Sequence, residues 1–321
     1  MRAVDIFNGD ADGLCALHQW RLANPMQAEL VTGVKRDINL LRGVKLGAGE
    51  AATVFDISFD SNRADALRLL ESGARLTWFD HHFAGEALVH PALELHIDTA
   101  ADTCTSLIVD GVLRGRYRAW AVTAACGDNL HAAARLAAAP LGLDEVRFAA
   151  LAELGELLNY NGYGDSVADL HFDPAGLYRQ IGPFEDPFAF IAESTAFAQL
   201  RDGFAEDMAA AENLAPCLEQ PHAAAWLLPE APWARRVIGV LANRLAMAAP
   251  ARAHALLVPN AAGTLTVSVR APKARPEGAD ALCRRFPSGG GRKAAAGING
   301  LPEEEVGRFL DAFAAFFAGH S

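Results

Sequence analysis

Cysteine is scarce in this chain: five in 321 residues, at Cys15, Cys104, Cys126, Cys217 and Cys283. Their number is odd, they are widely scattered and no CxxC pair occurs. That excludes a disulfide framework and a zinc knuckle, and reads as reduced, buried thiols in a cytoplasmic protein. Long apolar runs are also missing, so no membrane span is expected. The N-terminus, Met1-Arg2-Ala3-Val4-Asp5, meets an acid at once and lacks a signal-peptide pattern. Positive charge is short as well: Lys and Arg total 28 against 39 Asp and Glu, a net charge of −11. A protein that clamps long duplex DNA would more often be basic. An acidic chain can still take a small anionic substrate when bound metal supplies the positive charge.

What the sequence does have is ordinary for a globular protein, 51% hydrophobic and 21% charged. Its length suggests about two domains, each with its own core. The organising stretch is Trp78-Phe79-Asp80-His81-His82. Residues 74–79 predict a short buried strand, which puts Asp80, His81 and His82 at its end. In an open α/β sheet that carboxyl edge is where ligands bind. Taken alone, the stretch reads equally well as a satisfied histidine pair beside a loop.

Other acids repeat the pattern. Residues 4–7 predict a strand that breaks at Asn8-Gly9-Asp10-Ala11-Asp12-Gly13, which is turn chemistry, before a helix over 14–22. Asp10 and Asp12 therefore lie on a strand-to-helix loop. A helix N-cap would explain one of them and leave the other without a role. A strand over 52–55 ends at Asp56, and a helix follows over 61–70. A strand over 93–97 precedes Asp98 and Asp102, and helices over 103–113 and 116–126 lead to Gly127-Asp128. Acids at consecutive strand ends are the grammar of a parallel sheet with its site along one edge. Further helices are expected over 132–139 and 143–158, with 159–165 a loop carrying two tyrosines. Prolines at 183 and 187 mark a candidate boundary, and 188–214 reads as a long connecting helix.

The composition changes after Pro216. Strands are expected over 223–228, 254–258 and 264–270, with a helix over 233–247 and a turn at Asn260-Ala261-Ala262-Gly263 that makes the last two strands a hairpin. A short helix follows over 279–286, and a helix over 303–317 closes the chain. Between them stands a glycine run, Ser288-Gly289-Gly290-Gly291-Arg292-Lys293. Consecutive glycines let a backbone approach an anion, and Arg292 can grip a phosphate by two hydrogen bonds. Arg270, at a strand end, can join it. Arg284 and Arg285 read equally well as a solvated helix face.

Asp10, Asp12, Asp56, Asp80, His81, His82 and Asp128 thus fall at separate element ends. Gathered by one sheet, they could hold two divalent ions. The carboxylate-rich set favours Mn²⁺ or Mg²⁺, and the histidine tilts toward Mn²⁺.

These residues resemble the DHH phosphoesterases, in the subfamily with a DHHA1 C-terminal domain. The carriers are Asp10-Ala11-Asp12-Gly13, Asp56, Asp80-His81-His82, Gly127-Asp128 and the run Gly289 to Gly297, in the family's order and across both halves. The resemblance implies an α/β fold: an N-terminal parallel-sheet domain with helices on both faces (1–185), a helical linker (186–216) and a smaller α/β domain that binds substrate (217–321). It implies two Mn²⁺ ions bridged by Asp56, the first served by Asp10 and the second by Asp12, His81 and Asp128. His82 would contact the scissile phosphate or the water, Asp80 would orient the histidines, and Gly289, Gly290, Gly291, Arg292 and Arg270 would bind the far phosphate.

Two departures stand out. The family's metal histidine, four residues before the first acid, is Ile6 here, with Asn8 the nearest polar substitute. Arginine stands at 292 where the family's glycine motif continues with histidine. The expected function is a metal-dependent phosphoesterase of short single-stranded oligonucleotides or small nucleotide phosphates, with no long duplex DNA and no membrane as partner; an oligomer is compatible. The alternatives are a nucleotide-binding regulator on a degenerate scaffold, motivated by Ile6, and a pyrophosphatase-like enzyme.

Overall fold

Alternation at the N-terminus decides the first layer. In β1 (Ala3–Asn8) every residue is buried, so helices must cover both faces of its sheet. Val4 and Ile6 turn one way, into an apolar cluster with Ala52, Val54, Leu76 and Trp78. Asp5 and Phe7 turn the other way: Asp5 pairs with Arg21, and the Phe7 ring lies 6.0 Å from Tyr178. The computed structural model describes residues 2–318, and the chain divides into two compact units, one ending at Asp202 and the other starting at Gly203.

In the first unit β1 leads to α1 (Ala11–Ala23), β2 (Glu29–Gly33), β3 (Ala51–Phe55), α2 (Arg63–Glu71), β4 (Arg75–Asp80) and β5 (Leu93–Ile97). The five strands form one sheet in the order β2-β1-β3-β4-β5, with every pairing parallel. All five strands therefore end on the same edge. Ala66, Leu69 and Leu70 of α2 cover the face that Ile6 and Trp78 point into. Trp20 of α1 packs on the opposite face, its ring 4.9 Å from Phe79. Seven helices complete the unit and run on past its end: α3 (Thr105–Val112), α4 (Arg118–Gly127), α5 (His131–Ala138), α6 (Glu145–Asn161), α7 (Pro174–Ile181), α8 (Pro187–Glu193) and α9 (Thr195–Glu212).

The second unit holds β6 (Leu218–Glu219), β7 (Ala223–Leu227), α10 (Pro232–Ala248), β8 (Ala253–Pro259), β9 (Leu265–Arg270), α11 (Ala279–Cys283), β10 (Gly289–Gly291), β11 (Ala295–Leu301) and α12 (Val306–Ala318). Its six strands run β10-β11-β9-β8-β7-β6, with β7 and β8 parallel and the other pairs antiparallel. Ala253, Ala255 and Leu257 of β8 join Phe309, Phe313 and Phe317 of α12 in one core. Since β8 is buried along almost all its length, its other face is covered too. The two α/β units are the fold class expected from sequence, and β8 and β9 form the expected hairpin.

Four readings need correction. The edge strand β2 went unseen: it is half-exposed, so it carries no strong apolar signal. Residues 159–161 are the end of α6, not loop, and Tyr160 is fully buried in the core. The stretch 188–214 is two helices, broken where Ser194 takes an extended backbone. The glycine run is not a free loop: Gly289–Gly291 is β10, paired with β11.

Candidate metal centre

Asp10 follows β1 and caps α1. Its Oδ1 accepts from the backbone N–H of Asp12 at 3.0 Å and of Gly13 at 3.1 Å, which satisfies two of the helix's orphan donors. Its Oδ2 accepts from the Lys35 ammonium. The bland reading of this residue as a helix cap is thus part of its role. Gly13 has to be glycine, because a Cβ there would stand 2.1 Å from the Asn8 carbonyl oxygen. That close approach folds the loop tightly enough to aim Asp12 inward.

Asp12 lies in the first turn of α1 and is fully buried. The N-terminus of α3 grips it: Thr105 N–H donates to Oδ2 at 2.7 Å and Ser106 N–H to Oδ1 at 2.7 Å. The Thr105 hydroxyl donates to Asp56 Oδ1 at 3.2 Å, linking the two acids. Asp56 directly follows β3 with φ at +56°, a left-handed conformation that non-glycine residues seldom adopt. The turn points its carboxylate into the cluster.

Asp80 ends β4 and holds the histidines. Its Oδ1 accepts from His81 N–H at 2.8 Å, His82 N–H at 3.2 Å and the His82 ring at Nδ1 at 2.7 Å. Its Oδ2 accepts from Phe59 N–H at 3.3 Å. The His81 ring meets the Thr103 carbonyl at Nδ1, 3.1 Å away. A carbonyl can only accept, so Nδ1 carries a proton and Nε2 is the ring nitrogen left to face a ligand. That Nε2 stands 3.5 Å from Asp56 Oδ1.

Asp128 arrives from the C-terminus of α4. Two donor triads result: Asp56 with His81 and His82, and Asp12 with His81 and Asp128, each with ligand atoms within 4.8 Å of one another. Asp10 belongs to neither. Of the residues expected from sequence, the structure gathers all seven of the first unit. Ile6 is not among them; it is fully buried in the apolar cluster on the other side of β1. Asn8 donates its amide to the Lys35 carbonyl at 3.3 Å, and its Oδ1 is buried without a partner.

Lys35 also reaches this cluster, and the sequence does not mark it. Its ammonium meets Asp10 Oδ2, Asp128 Oδ1 at 3.4 Å and Asn159 Oδ1 at 2.9 Å. Burial disfavours its charge, but Asp10 and Asp128 outweigh that and raise its pKa well above the usual lysine value. Burial would also raise the Asp10 carboxyl, but Lys35 holds it below the usual range. Asp56 has no such relief. Burial, then repulsion from Asp10, Asp12, Asp128 and Asp80, pushes it well above the usual carboxylate range. Asp128 is pushed up to about 6, first by burial.

A divalent ion fits this donor set. A buried carboxylate crowded by four others wants a cation, His81 presents a free nitrogen, and mixed oxygen and imidazole ligands suit Mn²⁺. The charge pattern predicts how the metal-free fold responds to pH. Asp56 and Asp128 have raised pKa values when folded, so the folded state binds more protons than the unfolded chain above about pH 4. Stability is therefore present at low pH and is lost as pH rises through about 6. Each pKa unit is worth about 1.4 kcal/mol, so Asp128 alone costs on the order of 2–3 kcal/mol by pH 8, roughly 5–10 °C. Melting curves with EDTA and with Mn²⁺ are expected to diverge steadily from pH 5 to 8. His18 and His254, held near 4 chiefly by burial, act oppositely below about 6.5 and cancel in the difference. Parallel curves would mean that the carboxylates do not repel as described.

In the second unit, Gly289 and Gly291 are glycines for packing. A Cβ on Gly289 would sit 1.8 Å from the Cys283 carbonyl oxygen, and one on Gly291 2.5 Å from the Ala296 Cα. Gly290 faces open space. Arg292 and Ala295 close the hairpin through paired backbone bonds of 2.9 and 3.2 Å, and Arg292 is exposed. Arg270 lies opposite Ala295 in the register of β9 and β11, so it does flank the glycine hairpin. It donates to Asn243 Oδ1 at 2.8 Å and Ser268 Oγ at 3.0 Å. Among the described residues no helix is long and apolar enough to cross a membrane, and all five cysteines are free.

Fold and site together define a two-unit α/β chain with a metal-donor cluster at the carboxyl edge of its parallel sheet. Solved structures share this fold over essentially the whole chain. An exonuclease RecJ bound to manganese is 18% identical, with 99% of this chain and 90% of that chain covered and a TM-score of 0.62. RecJ with Mn²⁺ from Thermus thermophilus is 18% identical, and 99% of this chain covers 52% of that one, with a TM-score of 0.59. The pGpG-specific phosphodiesterase PggH from Vibrio cholerae is 12% identical, covered end to end in both chains, with a TM-score of 0.58. RecJ and PggH are DHH proteins, so the fold is the one the motifs imply. No protein-family model matches the sequence, and no curated protein does.

Proposed function

We propose that the chain is a divalent-metal-dependent phosphoesterase that hydrolyses short single-stranded oligonucleotides or small nucleotide phosphates. The observation that carries this reading is the convergence of Asp12, Asp56, His81 and Asp128 beside a histidine, His82, that Asp80 holds in place. Asp12, Asp56, His81 and Asp128 would hold the metal, Mn²⁺ or Mg²⁺. When bound, such an ion supplies Lewis-acid polarisation of a phosphate and lowers the pKa of bound water. Thr105 and Ser106 keep Asp12 and Asp56 oriented. Asp80 orients His82, whose side chain is 42% exposed and so can reach a substrate phosphate. Burial works against the charged form of His82, but Asp80 raises its pKa above the usual value. A cationic His82 would donate from Nε2 to a phosphate oxygen.

The substrate class draws on three supports. The net charge of −11 favours short substrates. The similar folds include an exonuclease and a phosphodiesterase specific for pGpG. In the second unit, the glycine hairpin with exposed Arg292 and flanking Arg270 would suit a phosphate group. RecJ structures hold Mn²⁺ and Mg²⁺, which supports either ion here.

The test is release of phosphate or mononucleotide, with Mn²⁺ and with EDTA. The panel holds short RNA, short DNA, cyclic and linear dinucleotides, phosphoadenosine phosphate and pyrophosphate. Turnover that needs Mn²⁺ supports the reading and names the substrate. No turnover on any of them, with tight metal and nucleotide binding retained, would establish a binding protein instead.

A further inference from the structure

A lysine ammonium has three N–H donors and no more. Those of Lys35 meet three oxygens: Asp10 Oδ2, Asp128 Oδ1 and Asn159 Oδ1. The residue is also pinned at its backbone. Its N–H donates to the Gly162 carbonyl at 2.8 Å, and its carbonyl accepts from Asn8 Nδ2 at 3.3 Å. The Tyr163 ring lies 5.7 Å from the ammonium. Lys35 is therefore held as an ion is held, by oxygens from three separate elements. Lys35 engages one oxygen of the Asp10 carboxylate, and the other oxygen caps α1.

The remaining donors limit what else can bind. Both triads draw on His81. Its Nδ1 is committed to the Thr103 carbonyl, which leaves one nitrogen, and one nitrogen serves one ion. Asp12 and Asp128 share that nitrogen in one triad and Asp56 shares it in the other, so all three compete for an ion at His81, while the Asp10 side of the cluster already has its cation.

We propose that Lys35 takes the place of a second metal ion: its ammonium neutralises the Asp10 side of the carboxylate cluster, and the centre loads one divalent ion per chain. The inference rests on the metal-centre reading above and deepens it. It replaces the expectation of two Mn²⁺ ions served separately by Asp10 and by Asp12.

The experiment counts bound Mn²⁺ per chain by calorimetry and elemental analysis at saturating Mn²⁺, without substrate, for the wild type and Lys35→Met. Methionine keeps a stem of similar length and removes the charge. The wild type is expected to bind one ion and Lys35→Met two, because Asp10, Asn159 and the Asp128 oxygen that faced Lys35 are then open to a second ion, with Asp128 shared between the two. The Mn²⁺ resonance spectrum of the variant should show spin coupling between neighbouring ions that the wild type lacks. Two ions of similar affinity in the wild type would overturn the proposal, and this count needs no variant. One ion in both proteins would overturn it too, since Lys35 would then block nothing. If Lys35→Met does not fold, Lys35→Gln is counted instead. The substrate panel separates this from the functional reading. Two wild-type ions with turnover overturn only the role of Lys35; one ion and no turnover overturn only the phosphoesterase.

Discussion

Asp56→Asn is expected to make the metal-free protein more stable and to cost at least ~10³-fold in turnover. The two effects have one cause. Asp56 is buried, and its carboxylate is opposed by Asp10, Asp12, Asp128 and Asp80. Neutralising it removes that repulsion. The substitution is otherwise mild: asparagine tolerates the left-handed backbone at φ +56°, and its carbonyl can still accept the Thr105 hydroxyl. Alanine would do neither. The same change removes the charge that would hold the metal. A metal centre contributes several kcal/mol to a transition state, and about 4 kcal/mol is 10³-fold in rate. A site whose ligands are strained and self-repelling without their ion is one where stability is given up for function. Melting temperature in EDTA, Mn²⁺ affinity and hydrolysis rate are measured together. Turnover within tenfold of wild type, or a lower metal-free melting temperature, would show that Asp56 is not the crowded ligand described.

The parts of the site that sequence shows are those that follow an apolar run. Residues 51–55 are a strand with nowhere to go but an acid, and so are residues 75–79 before Asp80. Period and terminus place both side chains on the edge where ligands bind. Spacing was less informative for Asp10 and Asp12. Two residues apart at a helix start, one becomes the cap and the other enters the first turn, so their roles diverge. Lys35 was illegible for a different reason. It contacts residues 25, 93 and 124 positions away, and nothing local marks it. It follows β2, an edge strand whose half-exposed residues give a weak pattern, so missing the strand meant missing the lysine. The glycine run shows the reverse error. Three glycines suggest a backbone bared for an anion, yet two are required by crowding against Cys283 and Ala296.

Asp80→Asn is expected to lower turnover on the order of 10²- to 10³-fold and to move the alkaline limb of the pH profile toward acid. Asp80 belongs to neither donor triad, so its effect must pass through what it holds. Burial disfavours protonated His82, and the Asp80 hydrogen bond and charge more than offset this. In the variant only the burial effect and the more distant acids remain, so His82 gives up its proton at lower pH. If cationic His82 donates to the phosphate, rate falls as pH rises through that pKa, and the fall begins earlier in Asp80→Asn. Loss of a positioned proton donor costs typically 10²- to 10⁴-fold, and asparagine keeps part of the orientation because its carbonyl can still accept from the His81 and His82 amides. The profile of kcat/KM from pH 5 to 9 is read with Mn²⁺ affinity as the control, which should change little. His82→Ala should abolish the limb. A merely structural Asp80 would lower the rate equally at every pH. A His82 that instead gives its nitrogen to the ion would reverse the sign, with rate rising as the ring loses its proton. The direction of that one limb therefore decides whether the histidine next to His81 serves the substrate or the metal.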